Sequence, residues 1–261
     1  MSSVFVIDNA GGNSVDASAD GSGKTLLFAA GADDSFKGGF DTEAVYVAAS
    51  SVGSDRLQAG SGTSFLNLDT QGSADLSGVS GFDFVSLSAG NTAVSLGNAN
   101  FAGLSARAIT VSAVAGNNEI DGSGVGGANH PLIMAGGAGS DTMFGGAGND
   151  EIIFGTGSDT VAGGGGSNSF IWDQNASIGK TQTILDFKAV PGGDLLDLSQ
   201  LVTNFNGNAG SYVDLVDTPT GTNVFFDPLG HGNFGGQPVA SLSGDHGLGA
   251  AQLIAQHNLA I

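Results

Sequence analysis

Between residues 136 and 171 a large apolar residue recurs at every ninth position: Met143, Ile152, Val161 and Phe170. The stretch divides into GGAGSDTMF, GGAGNDEII, FGTGSDTVA and GGGGSNSFI, each following G-G-x-G-x-D-x-U-x with U apolar. The acidic position is Asp141, Asp150, Asp159 and, in a degenerate fourth unit, Asn168. Glycine at three of the first six positions lets the chain turn sharply, because it takes positive φ without steric cost. The remaining x-U-x makes a short strand that sends one apolar side chain inward and its neighbours outward. Two units complete one coil, so the first stacks on the third and the second on the fourth. Asp141 then lies over Asp159, and Asp150 over Asn168. A flexible Gly/Asp-rich linker is the competing reading, but a linker has no reason to place an apolar residue at every ninth position.

The rhythm continues upstream in weaker form. GSDRL at 53–57 carries Leu57, with Leu66 nine residues on; GFDFV at 81–85 carries Val85, with Val94 nine residues on. Leu76 lies between them, and Val6, Val15, Leu26, Phe36 and Val45 recur at nine to eleven residues. Short β-branched or aromatic runs alternate with Gly/Asn/Asp/Ser turns. Residues 1–112 are therefore expected to be a degenerate parallel β-solenoid, with a separate antiparallel sandwich as the alternative. Residues 113–135 form the seam. Ile120 takes the U position with Asn118 in place of Asp, and the insertion around His130 and Pro131 is expected to bulge from the surface. The last stretch reads as strands joined by tight turns, closed by a helix whose face carries Leu253, Ile254, His257 and Leu259.

The nonapeptides resemble the calcium-binding repeats of RTX proteins, which wind into a parallel β-roll. The resemblance implies an all-β fold: a parallel β-roll or β-solenoid with a C-terminal β-rich capping region and a short helix. It implies three parts: 1–112 degenerate solenoid, 113–171 calcium-binding roll, 172–261 cap and type I secretion signal. It also implies Ca²⁺ as the cofactor. The Asp side chains would bridge coils, with turn carbonyls from Gly136, Gly137, Gly139, Gly145, Gly146, Gly148, Gly155, Gly157, Gly163, Gly164 and Gly166. Stacked carboxylates about 4–5 Å apart repel by roughly 1 kcal/mol in water, and Ca²⁺ suits them because it accepts six to eight oxygens in flexible geometry. After the roll, Ile184, Asp186, Phe187, Gly193, Asp194, Asp197, Leu198 and Ser199 resemble the I-x-D-F strand and G-D-x-x-D-L-S turn of the family. Asp186, Asp194 and Asp197 either form another Ca²⁺ site or cap turns and a short helix near Ser199. The order of elements to residue 261 is similar to a type I secretion target domain, so the secretion apparatus is an expected partner.

Composition narrows the function. Of 25 acidic residues only Glu43, Glu119 and Glu151 are glutamate, and against six Lys/Arg the net charge is −19. Aspartate suits turns and compact oxygen sites. Such a charge disfavours nucleic acid and anionic membranes and favours divalent cations. Cysteine is absent, which removes disulfides and thiolate metal sites. No apolar run approaches the ~20 residues of a membrane span, and MSSVFVIDNAGGNS lacks the two regions of a cleavable signal peptide.

Enzyme motifs fail in turn. GSGKT at 21–25 needs glycine at position 18, which is Ser18. GSGVGG at 122–127 has no helix pattern after it. His130, His231, His246 and His257 form no H-E-x-x-H, and no G-x-S-x-G occurs. The expectation is a non-enzymatic, secreted calcium-binding structural protein of the cell surface or extracellular matrix, of the adhesin, surface-layer or filament kind, assembling with itself. The alternative is a glycan-binding or polysaccharide-modifying accessory module of a larger RTX protein.

Overall fold

The computed structural model describes residues 3–7, 12–19, 25–30, 33–39, 42–88, 90–104, 108–176, 179–244 and 247–261, with 3–7 and 25–30 described by backbone alone. Gly21–Lys24 of the GSGKT stretch and His246 lie outside the described residues.

Short strands wind into a parallel β-solenoid. One wall is an eleven-stranded sheet that begins at Ser3–Ile7 and ends at Leu259–Ala260, parallel throughout. The other wall starts as a four-stranded sheet ending at Val79–Ser80. It continues as a nine-stranded sheet whose first solenoid strand is Gly72–Asp75. The parallel pairing removes the antiparallel-sandwich alternative for the first half.

The inward positions form ladders. In the long sheet Val45, Leu66, Val85, Val111, Met134, Ile152, Phe170, Leu196 and Leu259 stack in unbroken register. The facing ladder is Ala74, Val94, Ile120, Met143, Val161, Ile184 and Leu242. All of these are buried, and the four U residues of the repeats are 0 % exposed. Burying each such side chain fully is worth about 1.5–3 kcal/mol. The core is therefore one column, running without a break through residues 112 and 172.

Several details differ from the sequence reading. The partner of Val45 is Phe28, while Leu26 pairs with Glu43, so the nine-to-eleven spacing does not track register there. Glu43 is wholly buried because its carboxylate accepts from the Gly39 and Gly60 N–H groups. Leu76 is buried in a turn between two strands rather than in a ladder. In the cap, the segment read as a G-D-x-x-D-L-S turn supplies another long-sheet strand, Leu195–Asp197. The helix covers only Ala250–Ala255, so of the expected face Leu253 and Ile254 are helical while His257 (φ +64°) lies beyond it and Leu259 belongs to the closing strand Leu259–Ala260, which ends that sheet. Val213–Thr218 and Gly221–Phe226 fold antiparallel onto Ala240–Ser243 and cover the other wall's edge, the usual remedy for unpaired strand groups.

Candidate metal centre

Each turn edge of the solenoid carries a ladder of Asp and Asn side chains. A side-chain oxygen in one coil accepts the backbone N–H of the equivalent residue in the coil before. On one edge Asn118 Oδ1 accepts from Thr92 (3.0 Å), Asp141 Oδ1 from Asn118 (2.7 Å), Asp159 Oδ1 from Asp141 (2.9 Å) and Gln182 Oε1 from Asp159 (2.7 Å). On the other, Asp150 accepts from Leu132 (2.7 Å), Asn168 from Asp150 (2.9 Å) and Asp194 from Asn168 (2.8 Å). Asp141 thus stacks with Asp159 and Asp150 with Asn168, eighteen residues apart in each case.

The turns are glycine because the coils touch there. A Cβ on Gly155 would strike the Gly137 carbonyl, and one on Gly157 the Gly139 carbonyl. Gly164 combines such a collision, with the Gly146 carbonyl, with a φ of +80°.

The middle of the first edge differs from its ends. At one end the Asn118 Nδ2 donates to the Ala115 and Gly116 carbonyls (3.1 Å each); at the other the Gln182 Nε2 donates to Gly157 (3.0 Å). Bridges align Ala115 with Ala138 and Ala138 with Thr156. The carbonyls equivalent to Asn118's acceptors are therefore those of Ala138 and Gly139, and Asp141 has no N–H to offer them. Asp141 and Asp159 are each 2 % exposed, and the Oδ2 of each is buried with no hydrogen-bond partner. A buried acceptor left unmade costs about 1–3 kcal/mol, more when charged. Two free carboxylate oxygens beside glycine turns rich in main-chain oxygen suit a hard cation. Among the described residues no three His, Cys, Asp or Glu side chains gather as a metal cage. Carbonyls must therefore complete any shell, which Ca²⁺ accepts.

The second edge is closed by protein groups. Asp150 uses both oxygens, the second on the Gly146 N–H at 2.7 Å. Asn168 donates Nδ2 to the Gly165 carbonyl at 3.0 Å. The Lys188 ammonium donates to the Gly164 and Gly166 carbonyls, a tethered cation on the turn of the fourth repeat. Asp186 accepts from Gly163 and Gly164, Asp194 from Asn168 and Lys188, and Asp197 from Ser199. All three of these carboxylates thus hold backbone. Neither Asn118 nor Gln182 nor Lys188 stood out in the sequence as part of a site. Asn118 was legible only as part of a weakened repeat, and nothing in the spacing marked Gln182 or Lys188.

Replacing Lys188 with Gln should expose the dependence of this edge on a positive charge. In EGTA the variant is expected to lose about 1.5–3 kcal/mol, the worth of a charged hydrogen bond. Millimolar Ca²⁺ should recover more of its stability than it adds to wild type. Equal losses with and without Ca²⁺ in thermal unfolding would refute the tethered-cation assignment.

Burial raises the carboxyl pKa of Asp141 and Asp150. At Asp159, burial first and the Asp141 charge as well push it up to about 6. A folded value above the unfolded 3.8 means stability that is present at low pH and lost as pH rises through about 6. In EGTA the fold should therefore melt at higher temperature near pH 5 than near pH 7, and proton competition should weaken Ca²⁺ binding at pH 5 by about tenfold. A melting temperature that falls steadily on acidification would contradict this.

The family of RTX calcium-binding nonapeptide repeats matches residues 133–161 in four copies. No curated protein and no solved structure matches the chain.

Proposed function

This chain is a β-solenoid built around RTX calcium-binding nonapeptide repeats, and from that premise we propose a secreted calcium-binding structural protein that orders its roll when it meets extracellular Ca²⁺. The carrying observation is the stacked pair Asp141 and Asp159, each buried with one carboxylate oxygen unpartnered. Asp141, Asp159 and carbonyls of the turns holding Gly136, Gly137, Gly139, Gly155 and Gly157 are the assigned ligands. Asp150, with Gly145, Gly146 and Gly148, is a second set, each carboxylate oxygen accepting one backbone N–H and keeping a lone pair for a cation. Asn168, Asp186, Asp194 and Asp197, with the turn glycines Gly163, Gly164 and Gly166, are a third set, whose side chains also hold neighbouring backbone groups.

In the cytosol, scarce Ca²⁺ and a net charge of −19 keep the roll loose enough to thread a type I secretion channel, with residues 172–261 as signal and later cap. Outside, sites of extracellular grade, Kd about 10⁻⁴–10⁻³ M, fill at millimolar Ca²⁺. The rigid column then serves as an adhesin, surface-layer or filament-like scaffold at the cell surface or in the matrix. Among the described residues no helix is long and apolar enough to cross a membrane.

Far-UV circular dichroism with light scattering during a Ca²⁺ titration tests the proposal. β signal and scattering rising together support the scaffold. Full β signal in EGTA with no change on adding metal rejects it. Folding without association turns attention to the accessory-module reading, which has one observation in its favour: Phe101 and His130 stack at 4.3 Å beside a cleft of about 500 Å³ that Asn129 and Asn149 also line.

A further inference from the structure

The tripeptide Gly-Ser-Asp occurs at 139–141, at 157–159 and once more at 53–55, far upstream of the matched repeats. Among the described residues, the buried carboxylate oxygens without a hydrogen-bond partner are Oδ2 of Asp141, of Asp159 and of Asp55. The three aspartates share one arrangement. Asp55 is 0 % exposed, and its Oδ1 accepts the backbone N–H of Asp34 at 2.9 Å, one coil earlier, as Asp159 does for Asp141. Two residues on, Leu57 is buried in the core as Met143 and Val161 are. Asp34 is itself buried and continues the ladder by accepting from the Asn13 N–H at 2.8 Å.

We infer that the stacked aspartates Asp34 and Asp55 form a further divalent-cation site, of the Ca²⁺ class, in the N-terminal coils. The nonapeptide pattern misses it because Ser50 and Ser51 stand where Gly136 and Gly137 open the first repeat, and the turn before Asp55 is a 3-10 helix, Val52–Ser54. The adjacent cation does not satisfy the carboxylate: Arg56 Nη1 donates to the main-chain carbonyl of Asp55 at 3.1 Å. Asp33 joins the same turn, its backbone N–H donating to Ser54 Oγ at 2.9 Å. Burial raises the Asp55 carboxyl pKa, and the charges of Asp34 and Asp33 raise it further. A hard cation bridging two coils would remove that repulsion and join the solenoid at a second level along its axis.

The inference rests on reading Asp141 and Asp159 as calcium ligands, and the experiment separates the two. Ca²⁺ stoichiometry is measured by equilibrium dialysis on the full chain as wild type, Asp55→Asn and Asp141→Asn/Asp159→Asn. The expected result is one fewer ion for Asp55→Asn, and a residual ion in the repeat double variant that disappears in the triple variant. Wild-type stoichiometry for Asp55→Asn with a reduced value for the repeat variant overturns this site and leaves the repeats standing. Unchanged stoichiometry in both overturns both. Should Asp55→Asn lose its β signal, hydrogen exchange on the repeat double variant decides. Ca²⁺ is expected to slow exchange in peptides covering 33–58, and unaltered exchange there overturns the site.

Discussion

Substituting Asp141 and Asp159 together by Asn is expected to free the roll from calcium, and substituting both by Ala to raise sharply the calcium concentration at which it folds. The two outcomes follow from one ladder. Each Asp side chain performs two tasks: Oδ1 holds the N–H of the coil before, and Oδ2 is buried without a partner. Asparagine keeps the first task. In place of the orphaned oxygen it offers an N–H₂ to the turn carbonyls, as Asn118 already does for Ala115 and Gly116 and Asn168 for Gly165. Removing two orphaned buried acceptors should raise stability in EGTA by about 2 kcal/mol or more. Stabilisation by Ca²⁺ at ten times Kd, about 1.4 kcal/mol per site, should vanish from these sites. Alanine removes both tasks, strands the N–H groups of Asn118 and Asp141, and should raise the calcium midpoint of folding sharply. Chemical denaturation of the three proteins in EGTA and in Ca²⁺ reads all of this. An Asn variant less stable than wild type in EGTA, or an Ala variant with an unchanged calcium midpoint, would refute the ladder's role.

A second large effect is expected at Gly139, with Gly72 as its internal control. Both residues have a φ of +130°, so alanine at either carries the same backbone strain, about 1–3 kcal/mol. Around Gly72 a Cβ meets nothing within 4 Å, whereas at Gly139 it collides with the Gly116 carbonyl of the neighbouring coil. Forcing coils apart in a packed stack adds about 1–3 kcal/mol. Gly139→Ala should therefore unfold at markedly lower denaturant than Gly72→Ala, and calcium should not restore it, since the obstruction lies between carbonyls rather than charges. Equal midpoints for the two variants would show that conformation alone, and not coil contact, requires glycine at the turns.

Much of the architecture was legible along the chain, for an identifiable reason. In a solenoid each coil contacts its neighbours only, so local periodicity carries the packing. Met143, Ile152, Val161 and Phe170 could be placed in the core, and Asp141 over Asp159, from spacing alone. Where coil length varies, the method fails: Leu26 falls opposite Glu43, and the spacing gave no sign that a glutamate would be buried there to hold two backbone N–H groups.

By itself the sequence determined the parallel winding of the regular repeats, their inward residues and the stacking of their acidic positions. Each follows from a nine-residue beat and the geometry of glycine. Only the tertiary structure decided which carboxylates have an oxygen to spare. A carboxylate's partners come from the coil before, often some twenty residues away, and from insertions of irregular length. Thus Asp150 spends both oxygens on the backbone, Lys188 brings its ammonium back to the Gly164 and Gly166 carbonyls, and Asp141 and Asp159 are left with buried acceptors that ask for a metal.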